Sequence, residues 1–151
     1  MFFIASAFVI FENIFLHMLK DIRTPIVDKI ILAAVREKDE KNGTDWSVFL
    51  VNLYDVKIEN VLVSSKGYGI HNGENVRTST LRHLIGHIEP KQFAKVEPII
   101  SDVFGLNNEY WVSFYIGKEI YDKKYIFLPE SISENHLTMI PQINKQGVMI
   151  R

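Results

Sequence analysis

The residues best suited to chemistry lie in a short polar stretch near the middle of the chain. Four side chains there carry hydroxyl or ammonium groups: Ser64, Ser65, Lys66 and Tyr68. Gly67 and Gly69 would let backbone N–H groups approach a phosphate, whose charge a lysine would neutralise. The spacing matches neither the P-loop nor the dinucleotide-binding fingerprint. We expect a strand that ends in a glycine-rich loop, and this loop is the candidate ligand site.

A second polar group follows at Thr78–His83, where three hydroxyl residues precede an arginine and a histidine. Nucleophilic catalysis would need a nucleophile and a base that converge, but neighbouring residues on a strand point to opposite faces. No oxyanion-hole signature accompanies them, so we assign no catalytic residue. The pattern favours a solvated edge strand. Arg82 and His83 are kept as candidate ligand-binding residues beside the Ser64–Gly69 segment.

Two histidines four residues apart, His83 and His87, would share one face of a helix, as zinc ligands often do. Glu89 or His71 would supply a third ligand. Residues 82–90 fit a loop as well as a short helix, however, and no glutamate next to His83 completes the metalloprotease motif. We therefore predict no metal site and no cofactor.

Residues 107–127 hold the densest aromatic cluster and are typical of a β-hairpin that turns at Gly117 and Lys118. Aromatic and β-branched residues alternate along both runs, so one face belongs in a core. The other face is a candidate platform for a partner. The predicted interaction surface comprises Trp111, Tyr115, Tyr121 and Lys124. The alternative is that a second sheet and the tail after Pro129 cover both faces.

Composition narrows the class of protein. The 151 residues contain 47% hydrophobic and 23% charged residues, which suits one globular domain with a core. The net charge of −1 and the lack of a basic stripe argue against nucleic-acid binding. Without cysteine the chain has no disulfide, no thiolate metal site and no cysteine nucleophile.

The apolar segment 1–17 differs from the rest of the chain, and Glu12 is its only charge. As a membrane span it is short and interrupted, and as a secretory signal it lacks a basic start. The third interpretation is an over-extended start, with translation beginning at Met18. We expect one cytoplasmic domain over residues 18–151, with a membrane anchor as the alternative if residues 1–17 are translated.

Residues 26–37 fit either a helix that starts at Thr24 and Pro25 or a strand. The strand is favoured because Asn42-Gly43 is a strong hairpin signal. Folding the chain about that turn would place Val35 near Leu50. It would also pair residues 29–38 with the run that starts at Trp46.

Several short strands, turn signals every eight to twelve residues and little clear helix predict a mainly β fold. We expect an antiparallel β-sandwich with at most one or two short helices. An immunoglobulin-like topology is the preferred arrangement, although the cysteine–tryptophan–cysteine signature of that fold is absent.

Three segments resemble a family of small uncharacterised bacterial proteins: Asn60–Gly69, Leu106–Tyr115 and Tyr121–Ile132. The resemblance spans residues 18–151 and implies no established active site. Some proteins of this kind carry the label phenylalanyl-tRNA synthetase alpha subunit. The chain is too short for a synthetase catalytic core and has no ATP-binding signature, so that activity is not expected here.

These patterns favour a non-enzymatic module that binds a partner protein or its own copy through the aromatic hairpin. The alternatives are a small ligand-binding protein or enzyme that uses residues 64–69, and a membrane-tethered domain. The first should show an apolar patch on the hairpin, and the second a concave site where polar residues converge.

Overall fold

The computed structural model of the chain describes residues 10, 12–14, 25–38 and 43–151. Within them the chain forms ten strands and two short 3-10 helices, Ser101–Val103 and Glu134–His136. The strands are β1 (Ile30–Lys38), β2 (Thr44–Asn52), β3 (Ile58–His71), β4 (Glu74–Arg77), β5 (Leu81–Ile88), β6 (Phe93–Ile99), β7 (Asn107–Ile116), β8 (Glu119–Phe127), β9 (Thr138–Ile140) and β10 (Lys145–Ile150). The predicted mainly β class is confirmed.

The strands form two antiparallel sheets. The first has the order β6-β2-β1-β10-β9, and the second has the order β4-β3-β7-β8, with β5 also paired to β3. β4 and β5 lie end to end along one edge of β3, because Tyr68 pairs with Arg77 and Ser64 pairs with Arg82 on the side away from β7. The antiparallel sandwich is as predicted, but this order does not confirm an immunoglobulin-like topology.

The main core lies between the two sheets, where alternate residues of both sheets face each other. Its largest fully buried side chains include Tyr110, Phe114, Phe127, Leu32 and Leu50. A second buried cluster occupies the other face of the first sheet: Ile31, Ala33, Val35, Phe49, Val51, Ile140 and Ile143. β1 is therefore buried on both faces, which explains its continuous apolar sequence.

β1 and β2 confirm the strand interpretation of the first ordered segment and correct its register. Val35 pairs with Ser47, three residues from the predicted neighbour Leu50. The last described pair is Lys38 with Thr44, whereas a turn centred on Asn42-Gly43 would have set Lys38 opposite Ser47. The observed register places the core residues of both strands on the same face of the sheet. Side-chain alternation therefore decides the register.

Two further segments differ from expectation. Residues 82–90, predicted as a short helix or a loop, lie mostly in β5. Residues 78–83, predicted as a solvated edge strand, are divided: residues 78–80 connect β4 to β5, and Thr78 hydrogen-bonds with Gly67 of β3. β6, which contains Pro98, lies at the edge of the first sheet, where a strand tolerates proline.

The aromatic hairpin is confirmed as β7 and β8. Its partners run from Asn108 with Phe127 to Ile116 with Glu119. Gly117 occupies the first turn position with φ of 59°, a conformation that costs glycine little. The predicted alternation holds along both strands, so the hairpin separates inward from outward side chains as expected.

Some predictions fall outside the described residues. They include most of the apolar segment 1–17, the proposed helix cap Thr24 and the turn residue Asn42. Of residues 1–17, only Ile10 and residues 12–14 are described, and they are helical. In the part of the chain that the structure describes, no helix combines the length and the apolar character needed to span a membrane.

Candidate functional site

The segment Ser64–Gly69 lies inside β3 and is not the loop that the sequence predicted. Gly67 pairs with Asn108 of β7, and Gly69 pairs with Val76 of β4. A Cβ at Gly67 would approach the Thr78 methyl group to 3.1 Å, so the glycine permits close packing there. The glycines therefore serve the packing of the strand, and no phosphate-binding loop forms.

The six predicted ligand-binding residues divide between the two faces of the second sheet. Ser64, Lys66, Tyr68 and Arg82 project from the outer face, while Ser65 and His83 project towards the first sheet. This division follows from the two-residue period of a strand. The two faces are consequently two separate candidate sites.

Ser65 and His83 meet at Glu97, a residue of the facing sheet that the sequence analysis did not select. Glu97 Oε2 lies 2.7 Å from His83 Nε2 and accepts a 2.9 Å hydrogen bond from Ser65 Oγ. Glu97 Oε1 accepts a 2.8 Å hydrogen bond from the Tyr110 hydroxyl. We call these four residues the Glu97 cluster. It joins strands of the second sheet to β6 of the first.

A β-bulge in β6 directs Glu97 into the sandwich. Val48 pairs with Glu97 and the next residue, Phe49, pairs with Lys95, so Val96 is the extra residue. The bulge lets Val96 enter the core while Glu97 also faces the second sheet. Strict alternation would have grouped Glu97 with Lys95 on the solvent side, which is why sequence patterning missed it.

The Glu97 cluster is arranged for structure rather than for nucleophilic catalysis. In a catalytic triad the serine bonds to the histidine, which then takes its proton. Here both Ser65 and His83 bond to the same Glu97 oxygen, so the histidine does not contact the Ser65 hydroxyl as it would in a triad. The carboxylate instead gathers three partners at the open end of the sandwich.

A cavity of about 190 Å³ lies beside the cluster. Its polar lining includes Ser65, Thr78, Glu97, Asn108 and Tyr110, and its apolar lining includes Leu81, Ile99 and Val103. Drug-sized ligands usually occupy pockets of about 300–1,000 Å³. The cavity is therefore smaller than the usual site for a drug-sized ligand.

Tyr110 makes the stability of the folded chain depend on pH in the alkaline range. Burial and then the Glu97 carboxylate raise the pKa of Tyr110 far above its usual value. The unfolded chain loses this proton near pH ~10 while the folded chain keeps it, so stability present below that pH is lost as the pH rises. Above pH ~10 we expect the unfolding free energy of the wild type to fall with pH by about 1.4 kcal/mol per pH unit more than that of Tyr110→Phe. Urea denaturation of both proteins between pH ~9 and ~11.5 measures this difference. Equal dependence of the two unfolding free energies on pH would contradict the prediction.

The outer face of the second sheet carries three of the four predicted interaction residues. Trp111 and Tyr115 are exposed on β7, and Lys124 lies across from Trp111 on β8 with its ammonium 5.9 Å from the indole ring centre. Tyr121 does not join them. Its ring stacks on Phe114 on the opposite face, with centroids 5.2 Å apart and planes 6° from parallel.

Three further apolar residues extend this face, and we define the outer patch as Leu62, Leu84, Trp111, Tyr115 and Ile120. Leu84 is 78% exposed and Trp111 is 43% exposed. Leu84 pairs with Leu62, and Tyr115 pairs with Ile120, so the side chains are neighbours across strands. Leu62, Leu84 and Ile120 were not among the predicted interaction residues, and Leu84 lies in a segment with no clear pattern.

The geometry of a strand does not suit His83 and His87 as ligands of one zinc ion. His83 and His87 both lie on β5, where four residues span roughly 13 Å, and a helix would have brought them together. His87 lies 3.6 Å from Glu89, while His83 contacts Glu97. Among the described residues, no group of three or more side chains has the arrangement of a metal site.

Comparison with known proteins adds no assignment to this geometry. No family model, no curated protein and no solved structure matches the chain. The resemblance to small bacterial proteins stays a prediction. The chain is thus a small β-rich domain whose role has to be inferred from its two candidate sites, the Glu97 cluster and the outer patch.

Proposed function

We propose that this chain is a non-enzymatic protein-interaction module and that the outer patch is its docking surface. The observation that carries the proposal is the exposure of five large apolar side chains on one sheet face. Contiguous apolar surface of this kind is costly to leave in water and commonly marks an interaction site. Burying one leucine or larger apolar side chain stabilises a complex by about 1.5–3 kcal/mol.

Trp111 lies at one end of the outer patch, one cross-strand row from Leu62 and Leu84. It occupies the inner strand β7, between Ser64 on β3 and Lys124 on β8. Tryptophan and tyrosine are among the residues that contribute most often to the binding energy of protein interfaces. Lys124 and Arg82 flank it and supply a charged rim, which is typical of a protein interface.

A ligand-binding or enzymatic role at residues 64–69 receives less support. The adjoining cavity is small, and the Glu97 carboxylate already has three partners within 2.9 Å. Substrate recognition would require one of those contacts to break. The outer patch, in contrast, is open and its side chains are free to bury apolar surface on contact.

Site-specific photo-cross-linking tests the proposal. A photoreactive amino acid at Ser113, which lies between Trp111 and Tyr115, is expected to yield a discrete protein adduct in cells. The same group at Val56, an exposed residue in the connection between β2 and β3, serves as the control. Leu84→Glu should abolish the Ser113 adduct, because a charge in an apolar contact is costly to bury. Absence of an adduct at Ser113, or an equal yield at both positions, would refute the proposal.

A further inference from the structure

We infer that the partner seated on the outer patch is a second copy of this chain, related by a two-fold axis. This inference rests on the proposed function and names its partner. It comes from the order of side chains on the outer face, which the strand register fixes. Two cross-strand rows carry the argument: the Trp111 row (Arg82, Ser64, Trp111, Lys124) and the Ser113 row (Leu84, Leu62, Ser113, Asp122).

Charge is distributed unequally between these rows. The Trp111 row ends in the cations Arg82 and Lys124, whereas the Ser113 row ends in the anion Asp122. Among the described residues, neither Arg82 nor Asp122 has an oppositely charged side chain within 4.0 Å. The next rows carry Lys66 and Glu109 beyond the Trp111 row and Glu59 beyond the Ser113 row, and Lys66 and Glu109 form an ion pair. The Trp111 half of the face therefore has a net positive charge and the Ser113 half has a net negative charge.

A two-fold axis that runs across the strands, midway between the two rows, makes this face complementary to itself. It would place Lys124 of one copy over Asp122 of the other, twice, and Lys66 over Glu59. The same operation would set Trp111 over the small Ser113, and Leu62 over the small Ser64. At these contacts large side chains meet small ones and opposite charges meet, as an isologous interface requires, whereas the same operation sets Arg82 over Leu84 and Glu109 over Tyr115.

The size of the face limits how much surface the contact can bury. Four strands about 4.8 Å apart and four rows about 6.8 Å apart give a face of roughly 500 Å². Two copies would bury about 1,000 Å², which is at the lower limit for a specific interface. We therefore expect a weak dimer that forms at micromolar or higher concentrations and dissociates on dilution.

Charge reversal at two positions of one strand tests the dimer. In Lys124→Asp the new carboxylate would face Asp122 of the second copy, and in Asp122→Lys two lysines would face each other. Each variant alone should self-associate at least about tenfold more weakly than the wild type. An equimolar mixture of the two should recover the association, because every facing pair is then of opposite charge. Sedimentation equilibrium of the wild type, the two variants and their mixture measures these associations.

Lys38→Asp, an equal charge change at an exposed position of the first sheet, is the control and should leave association unchanged. A wild type that stays monomeric at about 500 µM would overturn the inference, since that concentration exceeds the range expected for this face. A dimer that neither variant weakens, or a mixture that recovers nothing, would overturn it equally. A monomer that still gives a Ser113 adduct with another protein would refute self-association alone. A monomer with no adduct would refute the proposed function as well.

Discussion

Replacing Glu97 by alanine is expected to lower the free energy of unfolding by about 3 kcal/mol. The substitution removes the common acceptor of Ser65, His83 and Tyr110. Tyr110 is fully buried and Ser65 nearly so, and a buried hydroxyl without a partner costs about 1–3 kcal/mol. For a domain of this length the expected fall in melting temperature is about 9 °C.

Glu109 provides a matched control. Its side chain is 13% exposed against 11% for Glu97, and it also has three partners. Those partners are the solvent-reaching Lys66 and Lys124, at 3.4 and 3.9 Å, and Tyr68 at 3.4 Å. Glu109→Ala should cost less than about 1 kcal/mol, because lysines freed from an exposed ion pair return to water.

A double-mutant cycle assigns the effect to the cluster. Urea denaturation of Glu97→Ala, Tyr110→Phe and the double variant should give a coupling energy of about 1 kcal/mol or more between the two positions. Equal losses for Glu97→Ala and Glu109→Ala, or no coupling with Tyr110, would show that the Glu97 cluster does not hold the two sheets together.

Gly147→Ala is expected to destabilise the fold by about 3 kcal/mol. Gly147 lies in β10 opposite Val35 of β1. A Cβ there would come within 2.6 Å of the Ala34 carbonyl oxygen and 3.1 Å of the Val35 Cα. Both atoms belong to the backbone of the paired strand, so relief of the clash requires the two strands to separate. Ile140 Cδ1, at 2.8 Å, adds a third close contact.

Gly105→Ala is the control for the loss of a glycine as such. Its Cβ would meet only the flexible side chain of Glu130, at 3.2 Å. Thermal unfolding should therefore leave Gly105→Ala within about 1 kcal/mol of the wild type. A Gly147→Ala protein as stable as the Gly105→Ala protein would contradict the packing at the β1–β10 contact.

Local sequence patterns predicted the hairpin of β7 and β8 in detail. Side-chain alternation and the glycine at position 117 are local properties that act within a few residues. The strand class of residues 30–38 was predicted in the same way, although its register was wrong by three residues. The register depends on which faces meet in the core, and that is decided by distant strands.

The candidate sites were predicted only in part. Trp111, Tyr115 and Lys124 were placed on one face correctly, whereas Tyr121 belongs to the other. Leu84 was missed because its segment contains no clear period. The six residues grouped around Ser64–Gly69 by closeness in sequence were divided, since neighbours on a strand face opposite ways.

By itself, the sequence determined the mainly β class, the aromatic hairpin and the two faces of each strand, because these follow from period and turn chemistry. Only the tertiary structure decided the strand order, the Glu97 cluster and the continuity of the outer patch. Each of these joins segments far apart in the chain. Glu97 shows the physical reason most directly: one extra residue in β6 turns its carboxylate inwards, and the bulge forms only where β6 pairs with β2.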